Sequence, residues 1–77
     1  MNNIGIIDVK TKLYMERLKL INDIEKLDYF ISDINIAGLD NKQIEQYHLL
    51  IMQKDVMNAY RMTLTLRIQN IENGGLI

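Results

Sequence analysis

The residues best suited to chemistry in this sequence are a few polar side chains placed at coiled-coil spacing. Gln53, Tyr60 and Arg67 stand seven residues apart, and Arg17 interrupts an otherwise apolar series in the first half of the chain. An arginine guanidinium matches phosphate oxygens, a tyrosine ring offers a face to a base, and a glutamine amide can read a base edge. This set would suit a nucleotide if symmetry brought two copies of it together.

Two further residues could assist such a site. Lys26 and Tyr14 flank the series that contains Arg17, and they could add a positive charge and a second stacking surface. A simpler interpretation is equally open, because single polar residues in a coiled-coil seam fix its register and its number of helices. The residues alone leave both interpretations standing.

Residues for catalysis or metal binding are scarce. The chain has one histidine, His48, and no cysteine, and the positions three and four residues after His48 hold Ile51 and Met52. No second metal ligand therefore follows His48 at helical spacing. Carboxylates such as Glu16 have a lysine within reach, here Lys19, which predicts a solvated surface. The sequence predicts no enzyme, no metal site and no cofactor.

Size and composition indicate one small domain. The chain has 77 residues, of which 48% are hydrophobic and 25% charged, an ordinary globular balance. A net charge of -1 disfavours binding to DNA or RNA. The lack of cysteine favours the cytosol, and no stretch approaches the roughly 18 apolar residues that span a membrane. No basic segment followed by an apolar run opens the chain, so export is not expected.

A first amphipathic helix is predicted over residues 8–33. Apolar residues and Arg17 follow one another at alternating steps of four and three, the spacing of a coiled-coil seam. Asp8 could cap the start of this helix by accepting from a backbone amide of its first turn. The predicted seam residues are Leu13, Arg17, Leu20, Ile24, Leu27, Ile31 and Ile34.

A connection at residues 34–40 leads into a second helix predicted over residues 41–72. Asp40 can cap this helix, and Gln43 lies at the position that completes a capping box. Asn73 and the two glycines after it supply a stop. The predicted seam residues are Leu50, Gln53, Met57, Tyr60, Leu64, Arg67 and Ile71. Because the connection is short, the expected fold is an all-α antiparallel hairpin, a single domain over residues 1–77.

A lone hairpin has little core. Ordering a residue costs roughly 1.5 kcal/mol, whereas apolar burial returns about 25 cal/mol per Å², and each helix buries one stripe. Apolar residues beside the seams widen these stripes beyond what one partner helix can cover. The sequence therefore predicts a homo-oligomer, a dimer of hairpins forming a four-helix bundle or a higher assembly of such dimers.

The run "ERLKLINDIEKLDYFISD" and the later run "LLIMQKDVMNAYRMTLTLRI" resemble a family of small helical-hairpin proteins widespread in bacteriophages. These proteins are similar to the anti-CBASS and anti-Thoeris sponges, viral antagonists that bind cyclic oligonucleotides or related signals at subunit interfaces of a homo-oligomer. The residues that carry the pattern are Arg17, Lys26, Leu27, Phe30, Leu49, Leu50, Gln53, Met57, Tyr60, Leu64, Arg67 and Ile68.

The resemblance implies a phage protein that sequesters a cyclic dinucleotide or another small nucleotide signal in the host cytoplasm without cleaving it. Arg17, Lys26 and Arg67 would hold phosphates, Tyr60 would stack on a base, and Gln53 would form hydrogen bonds to the base or orient Tyr60. The alternative function is a protein-interaction module, an inhibitor or assembly adaptor that offers an apolar helical face to another protein.

Overall fold

The computed structural model describes residues 3–75, with side chains from Asp8 onward. Helix α1 spans Asn3–Ser32, a 3-10 turn spans Ile36–Gly38, and helix α2 spans Asn41–Glu72. The helices run antiparallel, as shown by the contacts Lys10–Glu72, Arg17–Thr65 and Asp28–Lys54. The predicted all-helical hairpin is confirmed, whereas the bundle of several hairpins stays a proposal.

The start of α1 differs from the prediction. The helix begins at Asn3, five residues before Asp8, so Asp8 does not cap it. Asp8 instead pairs with Lys12 at 3.0 Å along the helix surface. Gly5 is the weakest helix former between Asn3 and Asp8, and one glycine costs only about 1 kcal/mol relative to alanine.

The start of α2 is fixed by the predicted capping box. Asp40 Oδ1 accepts from the Gln43 amide at 2.9 Å, and Gln43 Oε1 accepts from the Asp40 amide at 3.0 Å. At the other end, Asn73 caps the helix and Gly74 takes a φ of 89°, a left-handed conformation that glycine adopts without strain. Both ends of α2 therefore follow directly from local sequence.

Removing the cap should weaken the fold measurably. We expect Asp40→Ala to lower the free energy of unfolding by about 1 kcal/mol, because the Gln43 amide in the first turn loses its acceptor. Urea denaturation followed by circular dichroism measures this change. Asp40→Asn is the control, since asparagine caps a helix as well as aspartate does, and an equal loss in both variants would contradict the capping role.

The hairpin is long, thin and sparsely packed. It measures 59 × 16 × 15 Å, with a radius of gyration of 17.4 Å, whereas a compact chain of this length has about 11.5 Å. Its main apolar cluster lies towards the chain ends and contains Leu13, Leu64, Ile68 and Ile71. Neither helix has, over the described residues, a segment long and apolar enough to cross a membrane.

The seam of α1 matches the prediction. Leu13 and Ile31 are buried, and the other predicted positions, Arg17 included, are half-buried. In α2, one predicted column is confirmed, because Leu64 and Ile71 are buried and Leu50 and Met57 are half-buried.

The second predicted column of the α2 seam is wrong. Gln53, Tyr60 and Arg67 are exposed, and the positions one residue further along form the seam instead. These seam positions are Tyr47, Lys54, Arg61 and Ile68. Lysine and arginine can bury their aliphatic stems while their charged ends stay at the edge, and Lys54 Nζ reaches Asp28 at 2.8 Å.

Candidate functional site

Gln53, Tyr60 and Arg67 lie along one flank of the seam and face the flank of α1 that carries Glu16 and Asp23. Seven-residue spacing keeps each set on one side of its helix. We call this surface the Tyr60 face, and its residues are Glu16, Lys19 and Asp23 of α1 with Gln53, Tyr60 and Arg67 of α2. Gln53, Tyr60 and Arg67, which we call the polar column, are thus accessible to solvent and not enclosed between the two helices.

Tyr60 is held in place by α1. Its hydroxyl donates to a carboxylate oxygen of Glu16, and the two residues line a shallow groove with Lys19 and Asp23. The hydrogen bond to Glu16 is the main cause of a raised pKa at Tyr60, and Arg67 acts in the opposite direction. Tyr60 therefore stays neutral at physiological pH and presents a fixed, partly exposed ring.

Arg67 provides a positive charge on the same face. It lines a shallow groove of about 340 Å³ together with Thr63, Leu66 and Asn70. Among the side chains that the structure describes, no carboxylate lies within 4.0 Å of the Arg67 guanidinium. This guanidinium can therefore accept an anion without first breaking an ion pair.

Gln53 and Lys26 extend the Tyr60 face towards the connection. The Gln53 amide contacts Met57 Sδ at 4.0 Å, a weak interaction that leaves it available to a ligand. Glu16, and not Gln53, orients Tyr60. Lys26 is exposed three residues after Asp23, so it lies on the same side of α1.

Arg17 is a seam residue of α1 whose guanidinium extends to the other flank of the seam. Its guanidinium lies over the Tyr14 ring, 5.1 Å from the centroid, and Nη1 donates to Thr65 Oγ1 at 3.1 Å. Tyr14 donates to Glu72 at 2.9 Å, and Lys10 pairs with the same carboxylate at 3.2 Å. These contacts lower the pKa of Glu72, with the Tyr14 hydrogen bond as the largest cause.

The five predicted ligand residues therefore do not converge on one pocket within a single chain. Gln53, Tyr60, Arg67 and Lys26 share a face, whereas Arg17 belongs to the network around Tyr14. Glu16 is the functional candidate that sequence reasoning missed. Its neighbour Lys19 made it resemble half of a surface ion pair, and no local signal pointed across the seam to Tyr60.

Charge is unevenly distributed along the hairpin. The half next to the chain ends, residues 8–24 and 58–75, has six basic and four acidic side chains, a net charge of +2. The half next to the connection, residues 25–57, has three basic and six acidic side chains, a net charge of -3. All three arginines lie in the positive half, which also contains Tyr60, so that half attracts anions.

The described part of the chain has no group of three histidine, aspartate or glutamate side chains that could hold a metal ion. Several carboxylates are instead engaged by lysines, in the pairs Asp8–Lys12, Asp23–Lys19, Asp28–Lys54 and Glu72–Lys10. The arrangement provides cations, a ring and an amide, which are binding groups.

Comparison with known proteins places these features in a family. The chain matches the Sequestin family model over residues 7–70, which include every predicted ligand residue and all seam residues except Ile71. No curated protein and no solved structure matches the chain. The family name refers to sequestration of a ligand or partner, which confirms the resemblance to a sponge-type protein. This helical hairpin belongs to the Sequestin family.

Proposed function

We propose that the protein binds a cyclic oligonucleotide immune signal and sequesters it, without cleavage, as a phage antagonist acting in the host cytoplasm. Membership of the Sequestin family supports sequestration. The observation that carries the choice of ligand is the Tyr60 face, where the exposed Arg67 guanidinium lies about two helical turns from the fixed Tyr60 ring on the same side of α2. Phosphate and base are the two groups that this pair recognises.

Each of the five predicted ligand residues has a role in this proposal. Arg67 and Lys26 contact phosphate oxygens, Tyr60 stacks on a base, and Gln53 hydrogen-bonds to the base edge. Arg17 contributes long-range positive charge, because the Tyr14 network holds its guanidinium on the other flank. Glu16 positions Tyr60 and also opposes the anion by its charge.

The energies indicate that one chain is not enough for tight sequestration. A charge-assisted contact contributes roughly 1.5–3 kcal/mol, and stacking on one aromatic ring contributes roughly 1–3 kcal/mol. Arg67, Lys26 and Tyr60 together therefore provide at most roughly 9 kcal/mol, before the cost of ordering the ligand. A Kd near 1 nM requires about 12 kcal/mol, so two sets must act on one ligand.

Titration calorimetry tests the proposal directly. The purified protein is titrated with a panel of cyclic dinucleotides and trinucleotides, together with adenine nucleotides produced by TIR enzymes. We expect saturable heat with at least one ligand. The absence of heat with every member of the panel would contradict nucleotide sequestration.

Glu16 offers a variant that should strengthen binding. Glu16→Gln keeps an oxygen acceptor for Tyr60 and removes one negative charge beside the bound anion, so we expect affinity to rise by about three- to tenfold. Glu25→Gln, an exposed glutamate of α1, is the control with the same change in net charge. A fall in affinity for Glu16→Gln would contradict the assigned role of Glu16.

A further inference from the structure

The outer side of α2 carries a second row of residues at coiled-coil spacing. These residues recur at steps of three and four, all are exposed, and none is charged. We call this row the outer stripe: Leu49, Met52, Val56, Ala59, Thr63 and Leu66. Helix α1 packs on the opposite side of α2, so α2 presents one apolar stripe to its own hairpin and another to solvent.

The exposed area of the hairpin is large enough to provide an interface. The chain exposes 6039 Å², whereas a compact monomer of its mass exposes roughly 4,900 Å². A standard interface removes roughly 800 Å² from each partner. The excess of roughly 1,100 Å² over a compact monomer therefore exceeds the area that one standard contact would bury.

We propose that a second copy of the chain covers the outer stripe, with α2 packed antiparallel against α2 about a two-fold axis. Charge favours this direction over a parallel one. Antiparallel packing sets the +2 half of each hairpin against the -3 half of the other, whereas parallel packing would set like charges together. The helix dipoles also favour the antiparallel arrangement.

The outer stripe selects one register. Pairing Leu49 with Leu66 of the second copy also pairs Met52 with Thr63 and Val56 with Ala59, so every stripe residue has a partner. A shift of one heptad would instead place Met52 against Asn70 in one direction or Leu66 against Lys42 in the other. The two-fold axis then passes between residues 57 and 58, beside the small side chain of Ala59, which lets the helices approach closely.

This register completes the Tyr60 face. Gln53, Tyr60 and Arg67 flank the outer stripe as they flank the hairpin seam. In the hairpin, Tyr60 contacts Glu16 across one flank of the seam. When residues that flank the outer stripe are displaced along the helices by the same number of positions, the two Tyr60 residues lie opposite each other. Arg67 of each copy faces Gln53 of the other, about 10 Å from the centre. This arrangement supplies the second set of ligand groups, an inference that rests on the proposed function. A cyclic nucleotide with two-fold symmetry matches the symmetry of the dimer.

Cysteine cross-linking tests the interface, and the absence of native cysteine makes the experiment clean. The double variant Leu49→Cys/Leu66→Cys, oxidised without nucleotide, should give a covalent dimer on a non-reducing gel. Its two thiols are roughly 26 Å apart within one helix, so they cannot pair within a chain. Leu49→Cys alone should stay monomeric on the gel, because in this register the two copies of position 49 are equally far apart.

The results separate this inference from the proposed function. A covalent dimer from Leu49→Cys alone would indicate parallel packing and overturn the proposal, as would a monomeric wild-type protein in light scattering. Val56→Glu should convert the dimer to a monomer with unchanged helicity, because Val56 is exposed in the hairpin. The cross-linking is done without nucleotide, so it tests the interface alone. If the dimer forms but binds no nucleotide in the calorimetric titration, only the proposed function is contradicted.

Discussion

Replacing Arg67 with alanine should lower the affinity for the nucleotide by about 10- to 100-fold. This is the effect of losing one charge-assisted contact. Arg67 is exposed on the Tyr60 face, and no carboxylate among the described side chains pairs with it. Its removal therefore takes a cation from the ligand without leaving an unpaired acid. Titration calorimetry with the tightest-binding ligand of the panel measures the effect.

A matched control removes the same charge elsewhere. Lys42→Ala changes the net charge equally, and Lys42 lies exposed in the negative half of the hairpin, so we expect affinity to change less than twofold. Light scattering on Arg67→Ala distinguishes the two interpretations of the polar column. A changed oligomeric state with unchanged affinity would show that Arg67 sets register and does not bind the ligand.

Replacing Leu64 with alanine should cost about 2–5 kcal/mol of stability, enough to unfold much of a marginally stable chain. Leu64 has no exposed surface and contributes to the apolar cluster with Leu13, Ile68 and Ile71. Truncating its branched side chain leaves a void in the main apolar cluster of the hairpin. Circular dichroism during urea denaturation measures the loss.

Leu18→Ala makes the same chemical change at an exposed position of α1 and should cost less than about 1 kcal/mol. The difference between the two variants isolates burial from helix propensity, since both exchange leucine for alanine within a helix. Equal losses in both variants would contradict the position of the core near the chain ends.

Much of the fold could be predicted, because the signals that set the ends of α2 lie within a few residues of each other in the sequence. The capping box at Asp40 and Gln43 fixes where α2 begins, and the glycines after Asn73 fix where it ends. The seam of α1 followed from periodicity, since its only polar residue, Arg17, lies among aliphatic neighbours. The early start of α1 was not predicted, because Asp8 offers a capping residue closer to the apolar series, although Asn2 and Asn3 are also capping types.

The α2 seam was misassigned because α2 is apolar on two sides. The true seam column includes Lys54 and Arg61, which count as polar although their stems pack between the helices. The neighbouring column contains one charged residue, Arg67, and therefore fits a seam better when charged residues are counted. The polar column is therefore not buried within the hairpin. It lies between the seam and the outer stripe.

The candidate site was predictable in composition and not in arrangement. Residue type selected Gln53, Tyr60 and Arg67 as candidates, and in the structure all three are exposed on one side of α2. The separation of Arg17 from this group depends on its contacts with Thr65 across the seam, which no spacing within one helix reveals.

The claim that this Sequestin protein sequesters a nucleotide without changing it is tested most directly by release. The protein is incubated with the tightest-binding cyclic nucleotide of the panel, filtered to remove unbound ligand, and then heated to unfold it. We predict that chromatography recovers the bound nucleotide intact and in full. Recovery of a cleaved nucleotide, or of none in the protein fraction, would contradict sequestration.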